Sequence, residues 1–265
     1  MRQLLPSVVS PSVPCKCCHG EARIFGVVDF NQTCAQRTPR ALDACGVPVY
    51  YHRCLSCGFL FTTAFDNFAT EDFAKFIYNE DYKLVDPEYA EARPRRIAFL
   101  VSKMFELSRH LRVLDYGGGN GAAARFLRDY GFTNISIYDP FVPEFSVRPQ
   151  GQFDLILSFE VVEHSPHPCK IFTEMDSLLA PTGMILFSTL LQPPEIDREG
   201  VNWWYVGPRN GHVSIYTNQA LAKLSSQLKF KLKSFSEDLH LLFRKPFELR
   251  PLEAADPPAH VVGAD

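Results

Sequence analysis

Four glycines fall within five residues at Gly117-Gly118-Gly119-Asn120-Gly121, and this run constrains the fold more than any other part of the chain. It follows the strand-like Arg112-Val113-Leu114-Asp115 and opens a helix from Ala122 to Tyr130 that stops at Gly131. A turn without Cβ atoms lets the backbone bend sharply and come within contact distance of a ligand. Asp139 ends the next strand, Ile135 to Tyr138, and lies 20 residues after Gly119. A carboxylate at that place can accept both hydroxyls of a ribose.

Asp115 separates two kinds of ligand for this turn. Gly117, Gly119 and Ala122 satisfy the G-x-G-x-x-A spacing of a nicotinamide dinucleotide site. A carboxylate just before the first glycine repels a pyrophosphate, however. It suits a ligand carrying a cationic amino acid and a sulfonium.

Strands and helices continue to alternate downstream. Asp154 to Ser158 and Met184 to Ser188 read as buried strands, and Cys169 to Leu179 as a helix closed by Ala180-Pro181-Thr182-Gly183. Thr217 to Leu228 is a capped helix, and Phe230 to Ser236 with Leu239 to Arg244 form an antiparallel pair. This alternation predicts an α/β fold, a mostly parallel sheet with helices on both faces and an antiparallel last strand. Ahead of it, residues 65–110 read as a helical linker or lid punctuated by Tyr78, Tyr82 and Tyr89, with one amphipathic helix over Arg95 to Ser108. The expected organisation is a small module over 1–64 that begins in a loose arm, this linker, an α/β domain over 111–245, and a flexible tail over 246–265.

The 265 residues carry a net charge of −3, which gives no bulk attraction for DNA or RNA, so a nucleic-acid partner is not expected. Arg93-Pro94-Arg95-Arg96 reads as a solvated helix start. No run approaches the roughly 18 apolar residues of a membrane span, and Met1 to Pro14 lack the apolar stretch of a signal peptide. A cytoplasmic location follows as an expectation, where thiols stay reduced and serve as metal ligands or core residues.

Seven of the eight cysteines lie between Cys15 and Cys57. Cys15-Lys16-Cys17-Cys18 and Cys54-Leu55-Ser56-Cys57 are two C-x-x-C knuckles, each followed within two residues by a glycine. Two residues between thiols let both point at one tetrahedral ion, so Cys15, Cys18, Cys54 and Cys57 are candidate ligands of a structural zinc in a zinc-ribbon-like module. Cys17 is an extra thiol that could replace a neighbour. Cys34 and Cys45 have no pair spacing.

Taken together, Asp115 with its glycines, Asp139, and the run Phe153-Asp154-Leu155-Ile156-Leu157-Ser158-Phe159-Glu160-Val161-Val162-Glu163-His164 with His167-Pro168 resemble the class I S-adenosylmethionine-dependent methyltransferases. Gly183 to Thr189, then Trp203-Trp204-Tyr205, Pro208, Gly211-His212, Ser214 and Tyr216, extend the likeness over 110–245. The resemblance implies a Rossmann-like methyltransferase fold. It implies that Asp115, Gly117, Gly118, Gly119 and Gly121 approach the methionine part of S-adenosylmethionine, that Asp139 binds its ribose, and that Ser158, Phe159 and Glu160 line the pocket. Only 14 residues, Pro140 to Phe153, stand where the family fits a helix and a strand, and Phe145-Ser146-Val147 reads as a remnant strand. The cysteine module is similar to that of certain sugar C-methyltransferases, and their further C-terminal domain is not expected here.

Methyl transfer needs an aligned acceptor and often a base. His164 and His212 are the candidates, since an imidazole titrates near neutrality, and His212 is preferred because its loop faces the acceptor in the family. Trp203, Trp204 and Tyr205 either wall the acceptor or pack the sheet edge. The expected function is methyl transfer to a small molecule, such as a sugar nucleotide or a natural-product intermediate. A nicotinamide-dependent oxidoreductase and a zinc-containing binding module with a vestigial Rossmann domain are the competing readings.

Overall fold

The apolar runs at 153–158 and 184–188 become strands in the computed structural model, which describes residues 10–34 and 42–246. In chain order the first part gives β1 (Ser12–Pro14), β2 (Glu21–Asp29), β3 (Pro48–Cys54) and β4 (Leu60–Thr62). Three helices follow, α1 (Thr70–Phe76), α2 (Tyr82–Val85) and α3 (Ala92–Met104). Then come β5 (Val113–Tyr116), α4 (Ala122–Asp129), β6 (Ile135–Tyr138), β7 (Phe153–Ser158), α5 (Pro168–Ser177) and β8 (Leu179–Ser188). The last part holds α6 (Ile196–Glu199), β9 (Ser214–Ile215), α7 (Asn218–Gln227), β10 (Lys231–Ser234) and β11 (Leu239–Phe243).

The second group of strands forms a six-stranded sheet in the order β10-β11-β8-β7-β5-β6. β6, β5, β7 and β8 run parallel, while β11 pairs antiparallel with β8 and β10 with β11. This is an α/β fold with a mixed sheet. Both faces are buried, which explains why β7 and β8 read as unbroken apolar runs. One face packs α3 and α4 through Ile97, Val101, Ala122 and Leu127, and the other packs α5 and α7 through Phe172, Met175, Leu221 and Leu224.

β1 to β4 form an antiparallel sheet whose fifth strand is β9, contributed from beyond the parallel sheet. Phe61 of this sheet stacks on Phe59, which meets Tyr216, and Tyr216 meets Phe172 and through it Phe187. One apolar core therefore runs from the knuckle cysteines to the parallel strands.

Several local expectations shift. Ser12–Pro14, expected in a loose arm, pairs with Glu21 to Arg23. The helix expected from Arg95 starts at Ala92 and ends at Met104, with a separate 3-10 turn at Glu106–Ser108. Phe145 belongs to a 3-10 turn over Pro143–Phe145 and not to a strand; its carbonyl accepts the Asp139 N–H, which folds the segment back on the strand end. Ala180 to Gly183 bulge out inside β8, because Leu179 already pairs with Phe153 before Met184 pairs with Leu155. Residues 1–9 of the expected arm and 247–265 of the expected tail lie outside the described residues.

Candidate active site

The carboxyl ends of β5, β6 and β7 open into a cavity of about 630 Å³. Its floor is the glycine turn. Gly117, Gly119 and Gly121 have φ of 76°, 53° and 75°, a region that side chains avoid. A Cβ on Gly117 would sit 2.4 Å from Val161, whereas one on Gly119 would meet nothing and project into open space.

Two buried carboxylates flank the turn. Asp139 accepts from the Gly119 N–H (2.9 Å) and the Phe141 N–H (2.8 Å), which ties the turn to the end of β6. Asp115 is 5% exposed, and its Oδ2 has no hydrogen-bond partner. Burial, and then the charge of Asp139, push the Asp115 carboxyl up to about 7. A buried carboxylate with an unmade bond is costly and fits a cationic ligand.

Gly117, Gly118, Gly119, Asp115, Asp139, Phe159 and Glu160 all line the cavity. Glu160 holds a left-handed backbone at φ 56°, locked by the Ser188 hydroxyl, which accepts its N–H and donates to its Oε1. Gly121 and Ser158 do not line it. Gly121 is turned toward Ile137 and Phe145, and Ser158 is fully buried below Phe159.

The two histidines take different places. His164 lines the cavity. Its Nδ1 finds no partner, and burial brings its imidazole down to about 4, so the ring is neutral at pH 7. His212, preferred from the sequence, stands behind it with ring centroids 5.0 Å apart and is not part of the cavity wall. The reason is its Nδ1, which is held 2.8 Å from the Tyr205 carbonyl. Tyr205 also donates its hydroxyl to Glu163 Oε1 at 2.8 Å. Glu163, His164 and His212 bring one polar atom each within 4.8 Å of one another. Trp203 and Tyr205 pack against the antiparallel sheet, with Trp204 beside them, and none of the three lines the cavity.

A family profile described as a methyltransferase domain matches residues 89–234. The chain belongs to this methyltransferase family. The matched segment spans β5 to β10 and so takes in the whole glycine-turn region. A ubiquinone biosynthesis O-methyltransferase of Nitrosococcus oceani is 40% identical over 45 residues, 17% of this chain and 19% of that protein, so the match spans about a fifth of the relative. A solved 1,6-didemethyltoxoflavin-N1-methyltransferase of Burkholderia thailandensis, with 1,6-didemethyltoxoflavin and S-adenosylhomocysteine bound, is similar at 15% identity. That likeness covers 77% of this chain and 97% of the other, with a TM-score of 0.46. An O-methyltransferase family protein of the same organism is 15% identical over 68% of this chain and 64% of its own, with a TM-score of 0.48.

This methyltransferase holds one cation in its cavity wall that the sequence reading missed. Arg93, taken as solvated, is 5% exposed and makes two 2.8 Å hydrogen bonds to Asp86. Both residues line the cavity. Their seven-residue spacing signals nothing, because Pro87 breaks the helix between them. Tyr78, Tyr82 and Tyr89, from the expected lid, line it too.

Outside the matched segment, the cysteine knuckles converge. The Sγ atoms of Cys15, Cys18, Cys54 and Cys57 lie within 4.8 Å of one another, and three of their separations are 3.5, 3.5 and 3.7 Å. Tetrahedral zinc with bonds of about 2.3 Å would set thiolates about 3.8 Å apart. Backbone N–H groups of Cys17, Ser56 and Cys57 point at Cys15 and Cys54 Sγ at 3.3 to 3.4 Å. Cys17 is not part of the four-thiol group, Cys34 lies 3.4 Å from His212 Nδ1, and Cys45 sits beside Asp29. No helix among the described residues is long and apolar enough to cross a membrane.

Proposed function

We propose that this methyltransferase binds S-adenosylmethionine on the Gly117–Gly119 turn and transfers its methyl group to a small-molecule acceptor held between that turn and His164. The observation that carries the reading is the partnerless buried oxygen of Asp115 beneath a turn that only glycine can make. A ligand bearing a sulfonium and an ammonium compensates that carboxylate, while a pyrophosphate would not. Asp139 serves the ribose hydroxyls, and Phe159 and Glu160 border the pocket at the end of β7.

When bound, S-adenosylmethionine supplies an electrophilic methyl group on a cationic sulfur. The chain's own part is alignment and proton removal. His164, neutral and facing the cavity, takes the acceptor's proton as the acceptor's lone pair forms the new bond. Glu163 and Tyr205 hold His212 behind it, so the polar wall keeps its shape. Calorimetry tests the reading directly. S-adenosylhomocysteine should bind in a one-to-one ratio and NAD should not; tight NAD binding would overturn it.

The Cys15, Cys18, Cys54 and Cys57 cluster suits a structural zinc, closed to solvent and without a catalytic position. The thiol spacing and the N–H···S bonds support this. A reducing compartment, the cytoplasm, keeps such thiolates available to the metal.

A further inference from the structure

One wall of the cavity is aromatic. Phe68, Phe73 and Tyr78 come from α1 and its flanks, and Phe141 from the segment after β6. Their rings meet one another edge-on or tilted, Phe68 with Phe73 at 5.4 Å, Phe73 with Phe141 at 6.0 Å and Tyr78 with Phe141 at 4.7 Å. Tyr78 in turn stands 6.2 Å from the His164 ring.

This wall is fixed to the core. Arg209, itself 5% exposed, donates to the Ile77 carbonyl and to Asn79 Oδ1, both at 2.9 Å, and so pins the chain on either side of Tyr78. Asp72 caps the start of α1 through the Ala69 N–H. A rigid face of rings binds a flat partner at low entropic cost.

The charges of the cavity argue against a phosphorylated acceptor. Asp86, Asp139, Glu160 and Glu174 line it, against Arg93 and Lys170. Arg93 is already engaged by Asp86, and exposed Lys170 stands one helical turn from Glu174. A diphosphate needs cations or free helix-end N–H groups, and here it would meet a surplus of carboxylates. The same surplus favours the cationic cofactor.

We propose that the acceptor is an uncharged, planar aromatic compound whose methylated atom is a ring-attached hydroxyl or N–H lying between Tyr78 and His164. This rests on the reading of the glycine turn as the methyl-donor site. The base agrees with it. An imidazole lowered to about 4 is a weak proton acceptor, adequate for a phenol near pKa 10 as the methyl group arrives, and poor for a sugar hydroxyl. Transfer is balanced: the sulfur–methyl bond breaks with its electron pair left on sulfur, the oxygen–methyl or nitrogen–methyl bond forms, and the proton passes to His164.

The experiment uses the full-length protein, methyl-labelled S-adenosylmethionine, and three classes of probe: methyl 3,4-dihydroxybenzoate with 8-hydroxyquinoline, UDP-glucose, and an aliphatic amine such as putrescine. The expected result is at least tenfold faster labelling of an aromatic probe than of the others. Phe73→Ala and Tyr78→Ala should each raise the KM of that probe about tenfold while S-adenosylhomocysteine affinity, read by calorimetry, changes less than twofold. Preferred labelling of UDP-glucose or putrescine overturns the acceptor class and leaves the donor site standing. So does a protein that binds S-adenosylhomocysteine yet neither binds nor labels either aromatic probe. Failure to bind S-adenosylhomocysteine at all refutes the donor site itself.

Discussion

The cysteine knuckles and the glycine turn are built from the same backbone conformation and serve opposite ends. Gly58 at φ 70° closes the second knuckle much as Gly117 at 76° and Gly119 at 53° shape the glycine turn. In the knuckles the exposed N–H groups point inward, at the sulfurs of the same loop. In the glycine turn, Asp139 takes the Gly119 N–H, and the space beyond Gly119 is left open. A closed set of donors suits a resident ion, and an open one suits a ligand that comes and goes.

That contrast can be broken from either side. The largest effect is expected from the double substitution Cys54→Ser with Cys57→Ser. Structural zinc contributes on the order of 10 kcal/mol to such modules, so elemental analysis should show the loss of about one zinc per chain. Thermal unfolding should show a fall in Tm of more than about 10 °C. Unchanged Tm in a metal-free protein would remove the closed-site reading. On the open side, Asp139→Ala removes the carboxylate that fixes the turn, and affinity for S-adenosylhomocysteine should fall about 100-fold or more, as for charge-assisted bonds worth about 3 kcal/mol. Calorimetry giving the wild-type affinity would sink the ribose assignment.

Alanine at one glycine of each kind sharpens the comparison. Gly119→Ala adds a methyl group where the cavity is empty, so it should weaken cofactor binding about tenfold with a stability change of about 1 kcal/mol. Gly58→Ala puts its Cβ 2.9 Å from Thr217 Cγ2 and should lower stability by about 1 to 2 kcal/mol with binding intact. The reverse pattern would show that the two turns had been confused. Protons give a smaller effect. The raised Asp115 carboxyl, at about 7, must be ionised to hold a cation, so binding releases a proton. Affinity for S-adenosylmethionine should therefore decline several-fold from pH 8 to pH 6, and Asp115→Asn should flatten that profile. The smallest effect belongs to Cys17→Ser, which should leave zinc content unchanged, since Cys17 stands outside the four-thiol group.

The sequence by itself determined the elements whose causes are local. Spacing put two thiols on each knuckle, glycines announced a turn that other residues cannot make, and Asp115 carried the proposal of a cationic ligand over a pyrophosphate. Unbroken apolar runs gave β7 and β8. What only the tertiary structure decided depends on residues far apart in the chain. β9 joins the antiparallel sheet 154 residues after its partner β4 begins. The Tyr205 carbonyl draws His212 off the cavity and leaves His164 facing it, and neither effect has a sequence period. Arg93 changes from a solvated charge to a buried one, held by Asp86. Burial is a property of the packed molecule, so the residues that owe their chemistry to burial could be found only there.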